Sequence, residues 1–157
     1  MIRVAVVDRA LNPAALEAEV ADPGSGATSV FIGTVRDSHA GRSVTGIEYS
    51  AYTTMAEREL AAIATEATER TGVASLVVEH RIGALAVGEA SVVIALSHAH
   101  RAEALAATSF VIEELKRRVP IWKREMYTDG TREWVHASSS APLAAQHAGA
   151  AGVEGRS

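Results

Sequence analysis

The apolar residues of this chain recur at two spacings, and each spacing predicts a different element. Short runs that alternate apolar with polar side chains, or that cluster β-branched residues, indicate strands. Longer segments with apolar side chains one helical turn apart indicate helices. The predicted strands are residues 2–7, 26–35, 44–52, 75–82, 90–97 and 121–127, and the predicted helices are residues 13–21, 54–71 and 100–118.

This order lacks the regular alternation of a doubly wound parallel sheet and predicts an α+β fold. Gly33 lies inside the second strand, where a glycine often marks a bulge or the close approach of another backbone or a ligand. Residues 36–42 are predicted to be a polar loop. Residues 83–89 are expected to form a hairpin-like excursion, because glycines bracket them and both flanks alternate.

Several residues match the patterns that begin and end helices. Asn12 followed by Pro13 fits an N-cap with proline at the first helical position. Thr54 and Glu57 fit a capping box, and Gly72 is expected to end the second helix in the left-handed conformation.

The longest helix is predicted from His100 to Arg118 and ends before Pro120. A stripe of side chains three or four residues apart predicts the face that packs on the rest of the protein. The stripe consists of Leu105, Thr108, Ile112, Leu115 and Val119.

The composition is that of a folded protein with an ordinary core. The 157 residues suit one domain, and 48% of them are hydrophobic while 22% are charged. We assign residues 1–136 to this domain and expect the Ala-, Gly- and Ser-rich residues 137–157 to be disordered. Charge interrupts the N-terminal residues too early for a signal peptide or a membrane span, so we expect a cytoplasmic protein.

Charge and residue usage exclude several classes of function. A net charge of −4 argues against a nucleic-acid or anionic-membrane binder. The absence of cysteine excludes disulfides, thiolate nucleophiles and thiolate metal sites. We find no Ser-His-Asp order, phosphate-binding glycine loop or dinucleotide fingerprint, and we expect no cofactor.

The stretch from Leu115 to Glu125 carries the strongest candidate chemistry. It contains both lysines of a chain that otherwise uses thirteen arginines for its positive charge. Arginine keeps its proton, whereas a lysine amine can shift its pKa, so Lys116 and Lys123 are candidates for a base, a nucleophile or a compact cation. The alternative is a solvated basic helix end.

Three further side chains are candidates for binding an anion. His100 and Arg101 begin the longest helix, where free backbone N–H groups and the helix dipole favour negative charge. Arg36 follows the second strand. The alternatives are side chains that extend into water and, for Arg36 beside Asp37, a weak exposed ion pair. A helix of this length spans about 28 Å, so His100 and Lys116 of one chain should not touch unless the helix bends, starts later or faces a second copy.

Two histidine arrangements also need an interpretation. His98 and His100 have the spacing of metal ligands on an extended chain, but no carboxylate or third histidine is placed with them, so we expect no metal site. His80 alternates with the apolar residues of its strand. We therefore expect it to be a buried histidine with a satisfied hydrogen bond rather than a catalyst.

Several fragments, taken in order, resemble the large, catalytic subunit of molybdopterin synthase. They are FIGTVRD, EYSAY, MAE, HRIG, VGE, HR, LK, VPIWKRE and WV, and they lie between residues 26 and 135. Each fragment alone is a weak signal, but the whole ordered set is specific. One departure is Ser50, where the family usually has glutamate.

The resemblance implies an α/β hammerhead-type fold, with a mixed or antiparallel sheet and packed helices, in a homodimer. A ubiquitin-like small subunit would bind at each end and give a heterotetramer. Its C-terminal Gly-Gly tail carries a thiocarboxylate that enters a pocket of the large subunit. Two sulfurs are transferred to cyclic pyranopterin monophosphate, which makes the dithiolene of molybdopterin in molybdenum cofactor biosynthesis. The implied enzyme is a sulfurtransferase that needs no cysteine of its own.

The family's motifs also imply roles for single residues. Lys116 resembles the lysine beside the incoming thiocarboxylate, where a cation holds the donor and stabilises developing charge. Lys123 resembles the second essential lysine, which holds the pterin or acts as a general acid or base. Arg36, His100 and Arg101 would bind the substrate's phosphate. The alternative function is a noncatalytic anion- or partner-binding subunit of a hetero-oligomer.

Overall fold

The computed structural model describes residues 1–136, and the predicted disorder of residues 137–157 lies outside the described residues. The helices are α1 (Pro13–Glu19), α2 (Thr53–Thr71) and α3 (Arg101–Arg118). The strands are β1 (Ile2–Val7), β2 (Ala27–Thr34), β3 (Ser38–His39), β4 (Arg42–Ala51), β5 (Ser75–Arg81), β6 (Gly83–Ala86), β7 (Ala90–His98), β8 (Ile121–Tyr127) and β9 (Arg132–His136). No helix in residues 1–136 combines the length and the apolar character needed to cross a membrane.

The first sheet has the strand order β1–β5–β7–β2, with β1 parallel to β5 and the other pairs antiparallel. Helices α2 and α3 cover one face of this sheet, and α1 covers the other. Because both faces are covered, β5 and β7 are buried along almost their whole length instead of at alternate positions. These helices packed on a mixed sheet confirm the predicted α+β class.

The second sheet joins β3, β4, β8 and β9 in that order, and β6 pairs with β4 outside this order. Strands β5 and β7 pair antiparallel, as predicted for a hairpin-like connection, but the connection itself crosses to the second sheet as β6. Strand β3 lies in the segment predicted to be a loop. Segments as short as β3, β6 and β9 carry too few residues for a periodic signal, and β6 pairs with a strand that lies far away in the chain.

The helix ends agree with the sequence prediction to within two residues, but the predicted capping at the start of α2 does not form. The side chain of Asn12 caps α1, and Gly72 ends α2 with a φ of 74°. The predicted capping box is wrong, because α2 begins after Tyr52 without any side-chain capping bond. Glu57 instead accepts a hydrogen bond from the backbone N–H of Val6 at 3.0 Å. Strand β1 is at the edge of its sheet, so this carboxylate satisfies a donor that has no neighbouring strand.

The predicted apolar stripe of α3 is wrong at one position, since Leu105 is 62% exposed. The helix buries Ala104 and Ala107 there, while Ile112 and Leu115 are buried as predicted. Alanine is only weakly apolar, so the spacing of the larger apolar side chains placed Leu105 on the predicted inward face. Helix α2 also buries alanines against α3, and close packing of small side chains decides which face turns inward.

Gly33 lies where the pairing of β2 with β7 shifts register. A Cβ atom added there would lie 2.7 Å from the side chain of Val92, so any larger residue would clash. The register shift confirms the predicted bulge at Gly33, whereas the atoms that approach it belong to side chains and not to another backbone. The bulge ends the regular part of β2 shortly before the loop that carries Arg36.

Candidate active site

A cavity of about 160 Å³ lies where both sheets meet the C-terminal end of α3, and it has room for a phosphate-sized group. Its polar lining residues are Thr34, Arg36, Ser38, His39, Tyr49, Ser91, Lys116, Lys123 and Glu125. Three predicted site residues, Arg36, Lys116 and Lys123, therefore share one cavity. They reach it from a loop, a helix and a strand.

The break at Pro120 brings the two lysines to the same cavity. Lys116 lies in the last turn of α3. Val119 is already extended, with φ −76° and ψ 128°, because the helical conformation is disfavoured before proline. Strand β8 follows at once, and its period of two places Lys123 on the same face as the buried Glu125.

Lys123 lies against a buried carboxylate. Its Nζ is 3.0 Å from Oε1 of Glu125, which is 4% exposed. The hydroxyl of Tyr127 donates to the other carboxylate oxygen at 2.7 Å, and Nδ1 of His39 lies 3.8 Å from Oε1. Burial alone would raise the pKa of Glu125, but the hydrogen bonds from Tyr127 and Lys123 outweigh it and hold that pKa below its usual value. An ionised Glu125 therefore faces the amine of Lys123.

Lys116 has a different environment at the rim of the cavity. Partial burial lowers the pKa of its amine, and the positive charges of Lys123 and Arg36 lower it further, against the opposing effect of Glu113. No carboxylate in residues 1–136 makes an ion pair with Lys116. Lys116 therefore loses its proton at a lower pH than an ordinary lysine does. The neutral amine can accept a proton or attack an acyl carbon.

Arg36 adds a third positive charge from the loop after β2. It is exposed, and its guanidinium lies 3.4 Å from Nδ1 of His39. The alternative ion pair with Asp37 does not form, since no carboxylate in the described part of the chain lies within ion-pair distance of Arg36. Its charge remains available to an anion in the cavity.

His100 and Arg101 lie at the opposite end of α3 and do not line the cavity. The 18-residue helix is about 27 Å long, so one chain does not bring them to Lys116. Both side chains are exposed, and the backbone N–H of His100 donates to Nδ1 of His98 at 2.9 Å. Within residues 1–136 we find no group of three His, Asp or Glu side chains arranged to hold a metal ion.

His80 is buried beside the cavity wall and is not part of the lining. Its ring meets that of Tyr49 edge to face at 5.1 Å, and its Nδ1 lies 2.9 Å from the carbonyl oxygen of Arg81. Burial and then the charge of Lys116 lower the pKa of His80 to about 4, despite the opposing backbone hydrogen bond. The prediction of a buried, satisfied histidine is confirmed.

Comparison with known proteins places the chain in a family. A family model described as MoaE protein matches residues 6–118, which is most of the described part of the chain. The chain belongs to the MoaE family. Four of the predicted site residues lie inside the part that matches the MoaE model, and Lys123 follows shortly after it.

Similar proteins agree with the MoaE assignment. A protein of Rattus norvegicus called molybdopterin synthase catalytic subunit is 45% identical over 115 residues, which are 73% of this chain and 58% of the rat protein. The chain thus spans a little over half of that relative. The X-ray crystal structure of molybdopterin synthase from Staphylococcus aureus contains a chain 35% identical to this one, with a TM-score of 0.79, covering 83% of this chain and 95% of that chain. The resemblance found in the sequence is confirmed.

A more distant MoaE-like fold comes from Helicobacter pylori 26695. That chain is 22% identical to this one, with a TM-score of 0.70. The match covers 88% of this chain and 92% of that chain. It was solved in a protein-protein complex of subunits 1 and 2 of molybdopterin-converting factor. At this level of identity the likeness shows the fold alone.

Sequence reasoning missed several polar residues around the cavity of this MoaE chain, and three of them, Glu125, Tyr127 and His39, lie close to Lys123 or to its carboxylate partner. Glu125 could have been found, because it lies two residues after Lys123 on a predicted strand and so shares its face. Tyr127 continues the same alternation. His39 carried no such signal, because β3 has only two residues and the proximity of His39 to Glu125 depends on how β3 and β8 flank β4.

Proposed function

We propose that this chain is the catalytic subunit of a molybdopterin synthase. It acts as a sulfurtransferase that passes sulfur from the C-terminal thiocarboxylate of a small ubiquitin-like partner to cyclic pyranopterin monophosphate. The observation that carries this proposal is the convergence of Lys116, Lys123 and Arg36 on one cavity, in a chain without cysteine to carry the sulfur itself. The names of its MoaE relatives support it. We propose that the reaction takes place in the cytoplasm.

In each sulfur transfer the thiocarboxylate sulfur forms a C–S bond to a pterin carbon, and that carbon loses a C–O bond whose oxygen leaves as water or phosphate. Water then breaks the C–S bond to the acyl carbon. The acyl carbon of the partner's tail takes its oxygen from water and leaves as a carboxylate. Two such transfers give the dithiolene. Because the sulfur comes from the partner, this chain alone makes no product.

The two lysines suit different parts of this reaction. Lys116 lies at the rim with a lowered pKa, so its ammonium form attracts the incoming thiocarboxylate and its amine form takes up a proton during attack on the acyl carbon. Lys123 lies against Glu125 and holds the pterin or its developing charge. Arg36 binds the phosphate, for which the planar guanidinium is suited.

The direct test combines the purified chain, the thiocarboxylated small subunit and the cyclic precursor, and measures molybdopterin. Product is expected only when all three are present, and none is expected when the partner carries an ordinary carboxylate. A well-folded chain that yields no product with a competent partner would overturn the proposal.

His100 and Arg101 are proposed to bind phosphate in the cavity of a second copy, which requires a homodimer with a small subunit at each end. Mixing two inactive variants, Lys116→Ala and Arg101→Ala, tests this arrangement. Half of the randomly formed dimers are mixed, and each mixed dimer has one intact cavity, so about a quarter of the wild-type activity should return. No recovery would show that the site is not shared in this way.

The alternative is a noncatalytic subunit that binds an anion or a partner's acidic tail. The same three cations around one cavity favour it. Lysine-to-arginine variants separate the two functions, because a pure anchor tolerates arginine whereas an amine that exchanges protons does not.

A further inference from the structure

Tyr127 lies behind the cavity and is not part of its lining. It is the last residue of β8 and is 8% exposed. Its hydroxyl donates to Oε2 of Glu125 at 2.7 Å, while Oε1 of the same carboxylate faces Nζ of Lys123 at 3.0 Å. The two carboxylate oxygens therefore have different partners, and the hydroxyl fixes the orientation of the carboxylate that faces the lysine.

Arg42 holds the ring of Tyr127 in place. Its guanidinium carbon lies 3.5 Å from the centre of the ring, within the range of a cation–π interaction. Arg42 also donates hydrogen bonds to Asp129, at 3.1 Å, and to Thr131, both in the turn after β8. The ring cannot move away from Glu125 without losing its contact with Arg42, which these hydrogen bonds hold in place.

The hydroxyl of Tyr127 keeps its proton at neutral pH. Burial, followed by the hydrogen bond to Glu125, raises the pKa of Tyr127 to about 12. The group therefore acts as a constant donor to the carboxylate. A hydrogen bond to an ionised acceptor is stronger than one between neutral groups, so this contact is a strong constraint on Glu125.

We propose that Tyr127 is a positioning residue for sulfur transfer, which orients the carboxylate of Glu125 and through it places the amine of Lys123 in the cavity. This inference rests on the proposed function. Tyr127 does not line the cavity, so it acts only through Glu125. Nδ1 of His39 lies 3.8 Å from the oxygen that faces Lys123, and a carboxylate without the anchor would be free to turn toward His39.

The kinetic test is Tyr127→Phe, which removes the hydroxyl and keeps the ring under Arg42. We expect kcat to fall about tenfold, comparable to the loss of one hydrogen bond to a charged group. The KM for the thiocarboxylated partner should not change, because its tail meets Lys116. The matched control is Tyr52→Phe, which removes a hydroxyl from a side chain of a residue that is 66% exposed and should leave kcat unchanged.

Two kinetic outcomes would overturn the positioning role. One is a wild-type kcat in Tyr127→Phe. The other is a parallel change in kcat and KM together with a lower Tm, which would indicate a loss of structure instead of a misplaced amine.

A second measurement does not depend on sulfur transfer. The chain has two lysines, so ¹⁵N-labelled lysine gives two side-chain amine signals, which Lys116→Arg assigns. At one fixed pH, Tyr127→Phe should shift the Lys123 signal and speed its hydrogen exchange, with a smaller change at Lys116. An unmoved Lys123 signal overturns the inference whether or not the wild type makes molybdopterin. A moved signal in a protein that makes no product counts against the proposed function alone.

Arg42→Gln provides the test if Tyr127→Phe does not fold. This variant keeps the hydroxyl but releases the ring. The Lys123 signal should then move in the same direction as expected for Tyr127→Phe, by a smaller amount. An unchanged signal would overturn the positioning role, because the ring would have been released without any effect on the amine of Lys123.

Discussion

The cavity has a helix wall, formed by α3 with Lys116, and a sheet wall, formed by β8 with Lys123 and Glu125. The two lysines have different environments on these walls. On the helix wall, Lys116 has no ion-pair partner in residues 1–136, and its pKa is lowered. On the sheet wall, the side chain of Lys123 is only 15% exposed and lies 3.0 Å from Glu125. Two amines that are close in the sequence are therefore not equivalent. Burial and neighbouring positive charges lower the pKa of one amine, and the other amine lies against a carboxylate.

The largest expected effect comes from removing the amine on the helix wall. Lys116→Ala should lower molybdopterin formation by at least about 100-fold, since proton transfer by a positioned group contributes that much or more. The fold should persist, because Lys116 is exposed. The measurements are product formation and Tm. Near-normal turnover in a folded Lys116→Ala protein would show that the helix wall takes no part in catalysis.

Arginine substitutions should separate the two walls. Lys116→Arg is expected to be nearly as inactive as the alanine variant, because a guanidinium does not release its proton. Lys123→Arg should keep on the order of a tenth of the activity, because Glu125 can pair with either cation. Single-turnover assays with thiocarboxylated partner measure both. Equal tolerance of arginine at both positions would favour the anchoring alternative and remove the distinction between the walls.

The chemical reactivity of the amines tests the same difference without any partner. A lowered pKa and an exposed position make Lys116 the faster of the two lysines to react with an acylating reagent at mildly alkaline pH. We expect a several-fold difference in rate, measured by mass spectrometry of the two lysine peptides. Comparable rates would contradict the assigned environments.

The smallest effect should come from changing the carboxylates near each lysine. Glu125→Gln removes the charge that faces Lys123, so acylation of Lys123 should rise while that of Lys116 changes little. Glu113→Gln is the matched control on the helix wall. Glu113 raises the pKa of Lys116, so its loss should modestly speed acylation of Lys116 only. If both variants changed both lysines equally, the two walls would not be independent.

Much of the fold follows from signals that are local in the chain. Asn12 and Gly72 begin and end helices as predicted, because their side chain or backbone conformation suits those positions whatever surrounds them. The wrong predictions for Leu105 and for the Thr54–Glu57 capping box show the limit of such local signals. The contacts that overrule them, alanines against α2 and a carboxylate against β1, join segments far apart in the sequence.

The candidate site divides in the same way. Pro120 and the alternation of β8 make the convergence of Lys116 and Lys123 predictable, because a helix break and a two-residue period act over a few residues. The place of His39 and the cation–π contact of Arg42 were not predictable. Each depends on the register between strands or on the turn after β8.

The amino-acid sequence by itself determined the order of the main elements, the supply of two amines among arginines, and the motifs that resemble one family. Those are properties of residue type and short spacing. Only the tertiary structure decided that Arg36 joins the lysines, that His100 and Arg101 do not line the same cavity, and which lysine has a carboxylate partner. The physical reason is that pKa and ion pairing depend on distance and burial, which arise when separate segments pack together.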